Sequence, residues 1–231
     1  MIVAIDGPAG AGKSTIARMI AQKMGFLYID TGAMYRALTL KALENKIDLG
    51  DSAGLVETAR NSRIDLSNNQ DGTLKVLLDG RDVTGQIRQP LITKFVSDIA
   101  KIKGVREVML GLQRKLGSRR DAVLDGRDIG TVVFPDADKK FYLDANFKER
   151  VGRRHKELNE SGQDVPLADV ESDLSNRDKI DSTREFAPLK KAEDAVYVDT
   201  TDLSIEEVVN SVLEYIGSQG HKVTGIILVT W

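Results

Sequence analysis

The sequence predicts an α/β protein in which a parallel sheet is wrapped by helices. The first observation is a set of short apolar runs, each of strand length, at residues 2–5, 26–29, 122–124, 140–143 and 195–198. The second is that segments with helical periodicity lie between these runs. A strand that repeatedly alternates with a helix is typical of parallel sheets, because each crossover needs a helix to return the chain.

Two segments show the helical periodicity most clearly, since their apolar residues recur at spacings of three and four. These residues are Val105, Val108, Met109, Leu112 and Leu116 in the first segment, and Ile205, Val208, Val209, Val212, Leu213 and Ile216 in the second. Ser204 and Glu207 form a capping-box pattern that predicts the start of the second helix. Asn146 and Glu149 predict another helix start after the fourth apolar run.

One stretch departs from this alternation. Residues 63–83 carry alternating apolar positions on both sides of a turn at 68–72 that contains Gly72, which predicts an antiparallel hairpin inserted beside the main sheet. The polar segment 161–166 is interpreted as a flexible connection between two helices. The sequence shows no internal repeat.

Composition excludes several classes of protein. The 231 residues include 33 Lys and Arg against 35 Asp and Glu, and the net charge of −2 disfavours a protein that coats nucleic acid. Because the chain has no cysteine, a disulfide scaffold, a thiolate zinc site and a cysteine nucleophile are excluded. The apolar runs are too short to span a membrane, and no basic stretch precedes the first run. We therefore expect a cytoplasmic protein that binds neither membrane nor nucleic acid.

A phosphate-binding loop follows the first apolar run. Residues 7–14 match the Walker A pattern Gly-x-x-x-x-Gly-Lys-Ser at every position, between a predicted strand and a predicted helix. Lys13 can reach the β- and γ-phosphates of a nucleoside triphosphate, and the Ser14 hydroxyl can bind Mg²⁺. A dinucleotide site is disfavoured because Thr15 stands where a third glycine is needed. The expected ATP-binding residues are Gly7, Pro8, Ala9, Gly10, Ala11, Gly12, Lys13, Ser14 and Thr15.

A phosphate-binding loop does not by itself distinguish a kinase from a GTPase switch. Residues 45–48 spell the guanine-binding pattern Asn-Lys-x-Asp, but no apolar strand precedes them. The candidate Asp-x-x-Gly element at 82–85 comes after the Asn-Lys-x-Asp pattern in this chain. In GTPases, the Asp-x-x-Gly element comes first. We interpret both matches as coincidental, which leaves a kinase as the favoured hypothesis.

The arginines are placed as a phosphoryl-transfer enzyme requires. Arg36 lies one turn inside a helix after the second apolar run, and Arg127 follows Asp125 and Gly126 after the third. Ligands of such sheets bind beyond the carboxyl ends of the strands. Arg177, Asp181 and Arg184 are spaced to share one helix face, on which Asp181 would separate and orient the two arginines. The arginines at 150–154 are interpreted as a solvated surface cluster.

These segments resemble the bacterial cytidylate kinases, members of the nucleoside monophosphate kinase family, over residues 1–216. The most specific motifs are residues 7–15, 30–36 and 125–135, together with the helix carrying Arg177, Asp181 and Arg184 and ending in 187–189. The resemblance implies a P-loop kinase fold with a five-stranded parallel sheet, an inserted monophosphate-binding lobe and a short lid. It also implies transfer of a phosphoryl group from ATP to CMP or dCMP.

The resemblance also implies individual roles. Arg36, Arg127 and Arg184 would hold the CMP phosphate, and Arg177 with Asp181 would face the sugar. Ser97, Arg106 and Asp128 would contact the cytosine edge, with Thr31 standing where some relatives have serine. The catalytic set would be Lys13, Arg127, Arg177 and Arg184. Mg²⁺ would bind Ser14 directly, and Asp6 and Asp125, at strand ends, are candidates to orient it through water.

The expected organisation is a single P-loop kinase domain spanning 1–231. Its core is expected at about 1–34, 84–152 and 184–217, with the monophosphate-binding lobe at about 35–100 and the lid at about 153–183. Residues 218–231 have no assigned role, and an extra edge strand is one interpretation of them. The protein is expected to be a monomer. Two alternatives stay open: a kinase for UMP or another small acceptor, and a nucleotide-binding switch.

Overall fold

The structure is a computed structural model that describes residues 1–69 and 73–218. In chain order, the strands of the described residues are β1 (Ile2–Asp6), β2 (Leu27–Asp30), β3 (Ile64–Asn68), β4 (Leu74–Leu78), β5 (Arg81–Asp82), β6 (Ala122–Gly126), β7 (Lys139–Asp144) and β8 (Val196–Asp199). Their α-helices are α1 (Lys13–Met24), α2 (Thr31–Glu44), α3 (Ser52–Arg60), α4 (Pro90–Ala100), α5 (Lys103–Gly117), α6 (Phe147–Glu160), α7 (Leu167–Thr183) and α8 (Ile205–Gly217).

The central sheet has five parallel strands in the order β2-β6-β1-β7-β8. Its strands are apolar on both faces because helices cover both sides. Ile5, Ile29, Leu124 and Phe141 are each at most 1% exposed. The five apolar runs of the sequence all form strands of this sheet, so the predicted fold class is confirmed.

The third predicted strand is longer than its apolar run. Asp125 and Gly126 were expected just after this strand, and they are its last two residues. They stay in the ladder because Ile5 and Asp6 of β1 pair with them in register. The polar residues of the site are therefore held by the sheet itself.

Local capping signals set the helix ends. Gly12 and Gly25, both at positive φ, flank α1. The Asp30 carboxylate accepts a hydrogen bond from a first-turn N–H of α2. The Asn146 amide oxygen does the same for α6. Ser204 and Glu207 form the predicted capping box of α8. Within the two described ranges, none of these helices combines the length and apolar character that a bilayer crossing requires.

The predicted insertion forms a small separate sheet. Strands β3 and β4 pair antiparallel, with Ile64 opposite Leu78 and Leu66 opposite Val76, and β5 extends the sheet. The predicted hairpin is thus confirmed in its strands. Residues 70–72 of its turn lie outside the described residues, as do residues 219–231 of the unassigned tail.

A substitution at Leu124 tests the packing of the central sheet. Leu124→Ala removes a fully buried side chain from the middle of β6, so we expect the free energy of unfolding to fall by about 3 kcal/mol. Urea denaturation measures it. Leu91→Ala, at a position that is 55% exposed, is the control and should change the free energy by less than about 0.5 kcal/mol. Equal effects in the two variants would contradict the burial assigned to β6.

Candidate active site

The phosphate-binding loop lies at the carboxyl end of β1 and has a conformation that requires glycine. Gly7, Gly10 and Gly12 have φ of +148°, +77° and +82°. A Cβ atom on Gly7 would lie 1.9 Å from the carbonyl oxygen of Leu143, and one on Gly10 would lie 2.9 Å from that of Arg150. The loop is therefore packed between β7 and α6, and its backbone can approach a phosphate closely at the start of α1.

Lys13 begins α1 and is only 6% exposed. Its Nζ donates a hydrogen bond of 2.5 Å to the carbonyl oxygen of Pro8, within the same loop. Burial, and after it the nearby Arg127 cation, lower the pKa of Lys13 to about 7 against the opposing pull of Asp125. An anionic ligand at the loop would stabilise the charged form of this lysine.

Asp125, at the end of β6, joins the loop to the neighbouring strands. Its Oδ2 accepts a hydrogen bond of 2.8 Å from the Ser14 hydroxyl, and its Oδ1 accepts one of 2.9 Å from the Tyr28 hydroxyl. Its backbone carbonyl accepts one of 2.7 Å from Thr31. Burial, with the Asp30 carboxylate, raises the pKa of Asp125 to about 6. The predicted pair of Ser14 and Asp125 therefore lies together, whereas Tyr28 was not predicted.

Five side chains, four of them buried and the fifth, Arg127, half-buried, form a line of alternating charge across the cleft. Arg106 Nη2 lies 2.6 Å from Asp128 Oδ2, and Asp128 Oδ1 lies 3.5 Å from Arg184 Nη2. Arg184 Nη1 lies 3.1 Å from Asp181 Oδ1, and Asp181 Oδ2 lies 2.8 Å from Arg127 Nε. Three guanidinium groups against two carboxylates leave one net positive charge. We call this line the charge chain.

The pKa directions along the charge chain match its geometry. Burial opposes ionisation of Asp181, but Arg127 and Arg184 outweigh it, so its pKa lies below the usual value. Burial and the neighbouring Arg106 lower the pKa of Arg184. Burial also disfavours charge on Arg127, yet Asp181 raises its pKa overall. The charge chain thus holds its carboxylates and guanidinium groups in place through mutual ion pairs.

Arg106, at the first end of the charge chain, is further held by neutral groups. Its Nη1 donates a hydrogen bond of 3.1 Å to the carbonyl oxygen of Ala100, at the end of α4. Its guanidinium lies 5.4 Å from the ring centre of Tyr35, within range of a cation–π interaction. Ser97 lies one turn before Ala100 on α4 and is 8% exposed. Tyr35 was not singled out from the sequence, although it precedes Arg36 in the recognised motif.

Arg36 lies at the start of α2, one turn inside the helix as predicted. Its Nη2 donates a hydrogen bond of 3.0 Å to Asp30 Oδ2. Its Nε is buried and has no hydrogen-bond partner among the described residues. An unsatisfied buried donor costs free energy, and a phosphate oxygen would satisfy it.

The helix face carrying Arg177 and Asp181 differs from the prediction in its pairing. Asp181 does not hold Arg177 and Arg184 apart: its partners are Arg184 and Arg127, and Arg127 follows the last residue of β6. Arg177 forms its ion pair with Asp173, at 3.7 Å, and its buried Nε lacks a partner within the described chain. Arg184 itself follows the last residue of α7. Spacing along one helix could not reveal that Arg127, the residue after β6, competes for Asp181.

The interpretation of Arg150 as a solvated residue is wrong. Arg150 is 8% exposed, and its Nη1 donates to the carbonyl oxygen of Ala9 at 2.9 Å and to Asp178 Oδ2 at 2.5 Å. Asp178 in turn accepts the Ala9 N–H at 3.2 Å. Both partners lie far away in sequence, and α6 packs Arg150 against the phosphate-binding loop. No local signal in the sequence pointed to Asp178.

A Walker A loop lies at the end of a central parallel strand and is faced by the three arginines of the charge chain. This fold and site define the protein as a P-loop kinase. A solved structure of an uncharacterised protein from Eubacterium ventriosum is similar in fold, with a TM-score of 0.53 at 12% identity. That similarity covers 95% of this chain and 99% of the other.

Comparison with known sequences specifies the family. Residues 3–218 match the family model described as cytidylate kinase. The cytidylate kinase of Desulforamulus reducens is 51% identical over 214 residues, which are 93% of this chain and 96% of that protein. The cytidylate kinase of Clostridioides difficile is 49% identical over 216 residues, 94% and 98% of the two chains. The chain belongs to the cytidylate kinase family, and the resemblance seen in the sequence is confirmed.

Proposed function

We propose that this protein transfers the γ-phosphoryl group of ATP to the 5′-phosphate of CMP or dCMP, giving ADP and CDP or dCDP. The observation that carries the proposal is the charge chain, because its first pair can bind a cytosine and its remaining guanidinium groups can bind phosphates. Its Arg127 end lies nearest the loop that holds the donor, since Arg127 is the cation that acts on Lys13. Membership of the cytidylate kinase family supports the same reaction.

The first pair of the charge chain is complementary to cytosine. Cytosine presents the N4 amino donor beside the N3 and O2 acceptors, so a carboxylate and a guanidinium satisfy its edge. Asp128 would accept from N4, and Arg106 would donate to the acceptors. Thr31 and Ser97 supply hydroxyl groups near the same end. Uracil would place a carbonyl oxygen against Asp128, and that unpaired contact would exclude it.

Catalysis would consist of positioning and charge neutralisation. The acceptor phosphate is already an anion near neutral pH, so no general base is required. Lys13 would leave the Pro8 carbonyl and bind the β- and γ-phosphates, and Arg36 would bind the acceptor phosphate. Arg127, Arg177 and Arg184 would stabilise the charge that spreads over the transferring group. Arg177, with Asp181, would also contact the ribose.

The residues beside the loop fit a magnesium ion. The adjacent Ser14 hydroxyl and Asp125 carboxylate are the oxygen ligands that Mg²⁺ prefers. The described residues contain no group of three or more acidic or histidine side chains able to enclose a metal, which suits an ion bound mainly by water and substrate phosphates. Ser14 would bind it directly, with Asp125 and Asp6 orienting its water. When bound, the ion would neutralise charge on the ATP phosphates.

The proposal includes the expected division into a core, a monophosphate-binding lobe at about 35–100 and a lid at about 153–183. Movement of these parts would exclude water from the reacting phosphates. We further propose that the protein acts as a monomer, because one chain contributes every residue of the site. We also propose a cytoplasmic location, which the proposed nucleotide substrates support.

A panel of acceptors tests the proposed function. With MgATP, we expect ADP release with CMP and dCMP at a kcat/KM about 100-fold above that with UMP, AMP or GMP. A coupled ADP assay measures it. A preference for UMP or another acceptor would replace the proposed substrate. Negligible turnover with every monophosphate, together with slow release of bound nucleotide, would indicate a nucleotide-binding switch instead.

A further inference from the structure

Asp6 is a buried carboxylate whose two oxygens bind backbone amides and, within residues 1–69 and 73–218, no cationic side chain. It is the last residue of β1 and is 4% exposed. Its Oδ1 accepts the N–H of Ile129 and its Oδ2 accepts the N–H of Gly130, both at 2.8 Å. Burying a carboxylate is unfavourable unless its hydrogen bonds are replaced, and here backbone donors replace them. The same burial raises the pKa of Asp6 to about 7.

The contacts of Asp6 close a short loop over the end of β1. Gly126 lies beside Asp6 in the parallel register, so the chain leaves β6 next to this residue. It continues through Arg127 and Asp128, and the N–H groups of Ile129 and Gly130 then donate to the Asp6 side chain. The loop 127–128 is therefore fastened at one end by the strand ladder and at the other by the Asp6 carboxylate.

The returning segment has little freedom to move away from Asp6. The N–H groups of Val132 and Val133 both donate to the carbonyl oxygen of Asp128, at 2.9 and 3.1 Å, within a π-helical turn. A Cβ atom on Gly130 would lie 3.1 Å from Lys140 Cδ and 3.5 Å from Asp6 Oδ2. The turn is thus pressed against the strand end, and the backbone of Asp128 is fixed from both sides.

We propose that Asp6 is a positioning residue that holds loop 127–128 so that Arg127 and Asp128 point to opposite ends of the charge chain. From this loop, Asp128 extends to Arg106 while Arg127 extends to Asp181. The inference rests on the proposed function, since it concerns how the same loop presents Asp128 to cytosine and Arg127 to phosphate. Asp6 directly precedes Gly7, so one residue links the donor loop to the acceptor loop.

An asparagine cannot replace Asp6 in this role. Two neighbouring N–H groups need two acceptors, which a carboxylate offers and an amide does not. In Asp6→Asn, the side-chain NH₂ would face one backbone N–H and release one end of the turn. We expect the CMP dissociation constant to rise at least about tenfold and the CMP-to-UMP ratio of kcat/KM to narrow by about tenfold. The dissociation constant of ATP without metal should change by less than about twofold.

Calorimetric titrations with CMP and with ATP, and steady-state rates with CMP and UMP, measure these effects. Asp138→Asn is the matched control, because Asp138 accepts the N–H of Ile2 at 2.6 Å at the opposite end of the same strand. Its activity and selectivity should equal those of the unchanged protein. Thermal unfolding establishes that each variant is folded. If Asp6→Asn does not fold, Gly130→Ala is the second variant: its Cβ would lie 3.1 Å from Lys140 Cδ and displace the turn from that side, so it should narrow the CMP-to-UMP ratio of kcat/KM in its place.

An unchanged ratio in a folded Asp6→Asn or Gly130→Ala variant would overturn the inference. So would a loss confined to ATP affinity or to the magnesium concentration needed for half-maximal rate, because Asp6 would then act on the donor side. Absence of CMP turnover in the unchanged protein would instead refute the proposed function. The two failures are therefore distinguishable.

Discussion

Asp128→Asn is expected to lower kcat/KM for CMP by about 100-fold and to reduce the preference for CMP over UMP by a comparable factor. Two effects add. The asparagine amide oxygen can accept a hydrogen bond from the cytosine N4 amino group, but the side chain carries no negative charge. It also leaves Arg106 and Arg184, at 2.6 and 3.5 Å from the original carboxylate, without their shared counter-charge. Rates with CMP and UMP at saturating MgATP measure both changes.

Asp136→Asn is the control for this variant. Asp136 lies in the exposed segment that follows the π-helical turn, so removing its charge should leave both rates unchanged. Because amide NH₂ can donate to the uracil O4 carbonyl, UMP turnover should fall less than CMP turnover. A variant that loses activity equally with both nucleotides would show that Asp128 supports the charge chain without reading the base.

The parts of the site that depend on contiguous sequence were predictable. Residues 7–14 form the expected loop because its glycines, lysine and serine lie together in the chain and the adjoining strand and helix are encoded locally. The five strands followed from their apolar composition, and the helix starts followed from capping residues such as Asn146 and Ser204. Each of these signals requires only neighbouring residues.

The pairing of charges was not predictable, because it depends on residues distant in sequence. A helical pattern places Arg177, Asp181 and Arg184 on one face, but it cannot show that Arg127 arrives from β6 to bind Asp181. The residues around Arg150 in α6 are largely charged, as they are around a surface residue. Arg150 is buried only because the phosphate-binding loop and Asp178 close over it.

Asp6 shows how register changes the interpretation of a residue. From the sequence, a carboxylate at a strand end next to a Walker A loop is a candidate for orienting magnesium water. In the structure, the parallel pairing of β1 with β6 brings the chain after Gly126 back over the strand end, where two N–H groups reach that carboxylate. The metal role of Asp6 stays a prediction, and Asp125 has the hydrogen bond to Ser14 that supports it more directly.

Arg127→Met should lower kcat for CMP phosphorylation by about 1000-fold with a much smaller change in the KM for ATP. Arg127 ends the charge chain nearest the donor loop, as its electrostatic influence on Lys13 indicates. Its Nε binds Asp181 at 2.8 Å, and its Nη1 binds the Gly126 carbonyl at 3.1 Å, so the fork is already oriented without substrate. The expected loss falls on kcat because the charge that this cation offsets grows as the phosphoryl group moves. Steady-state kinetics with both substrates varied separates the two constants.

Two further variants determine whether geometry or charge accounts for that loss. Arg127→Lys keeps the cation but not the rigid fork, so it should recover only about tenfold of the lost kcat. Arg114→Met is the matched control: Arg114 also binds backbone carbonyls, those of Val132 and Val133, but from outside the cleft. It should keep its activity. If Arg114→Met lost as much as Arg127→Met, the effect would come from the turn at 129–133, and if Arg127→Lys were fully active, a point charge would suffice where the structure offers an oriented fork.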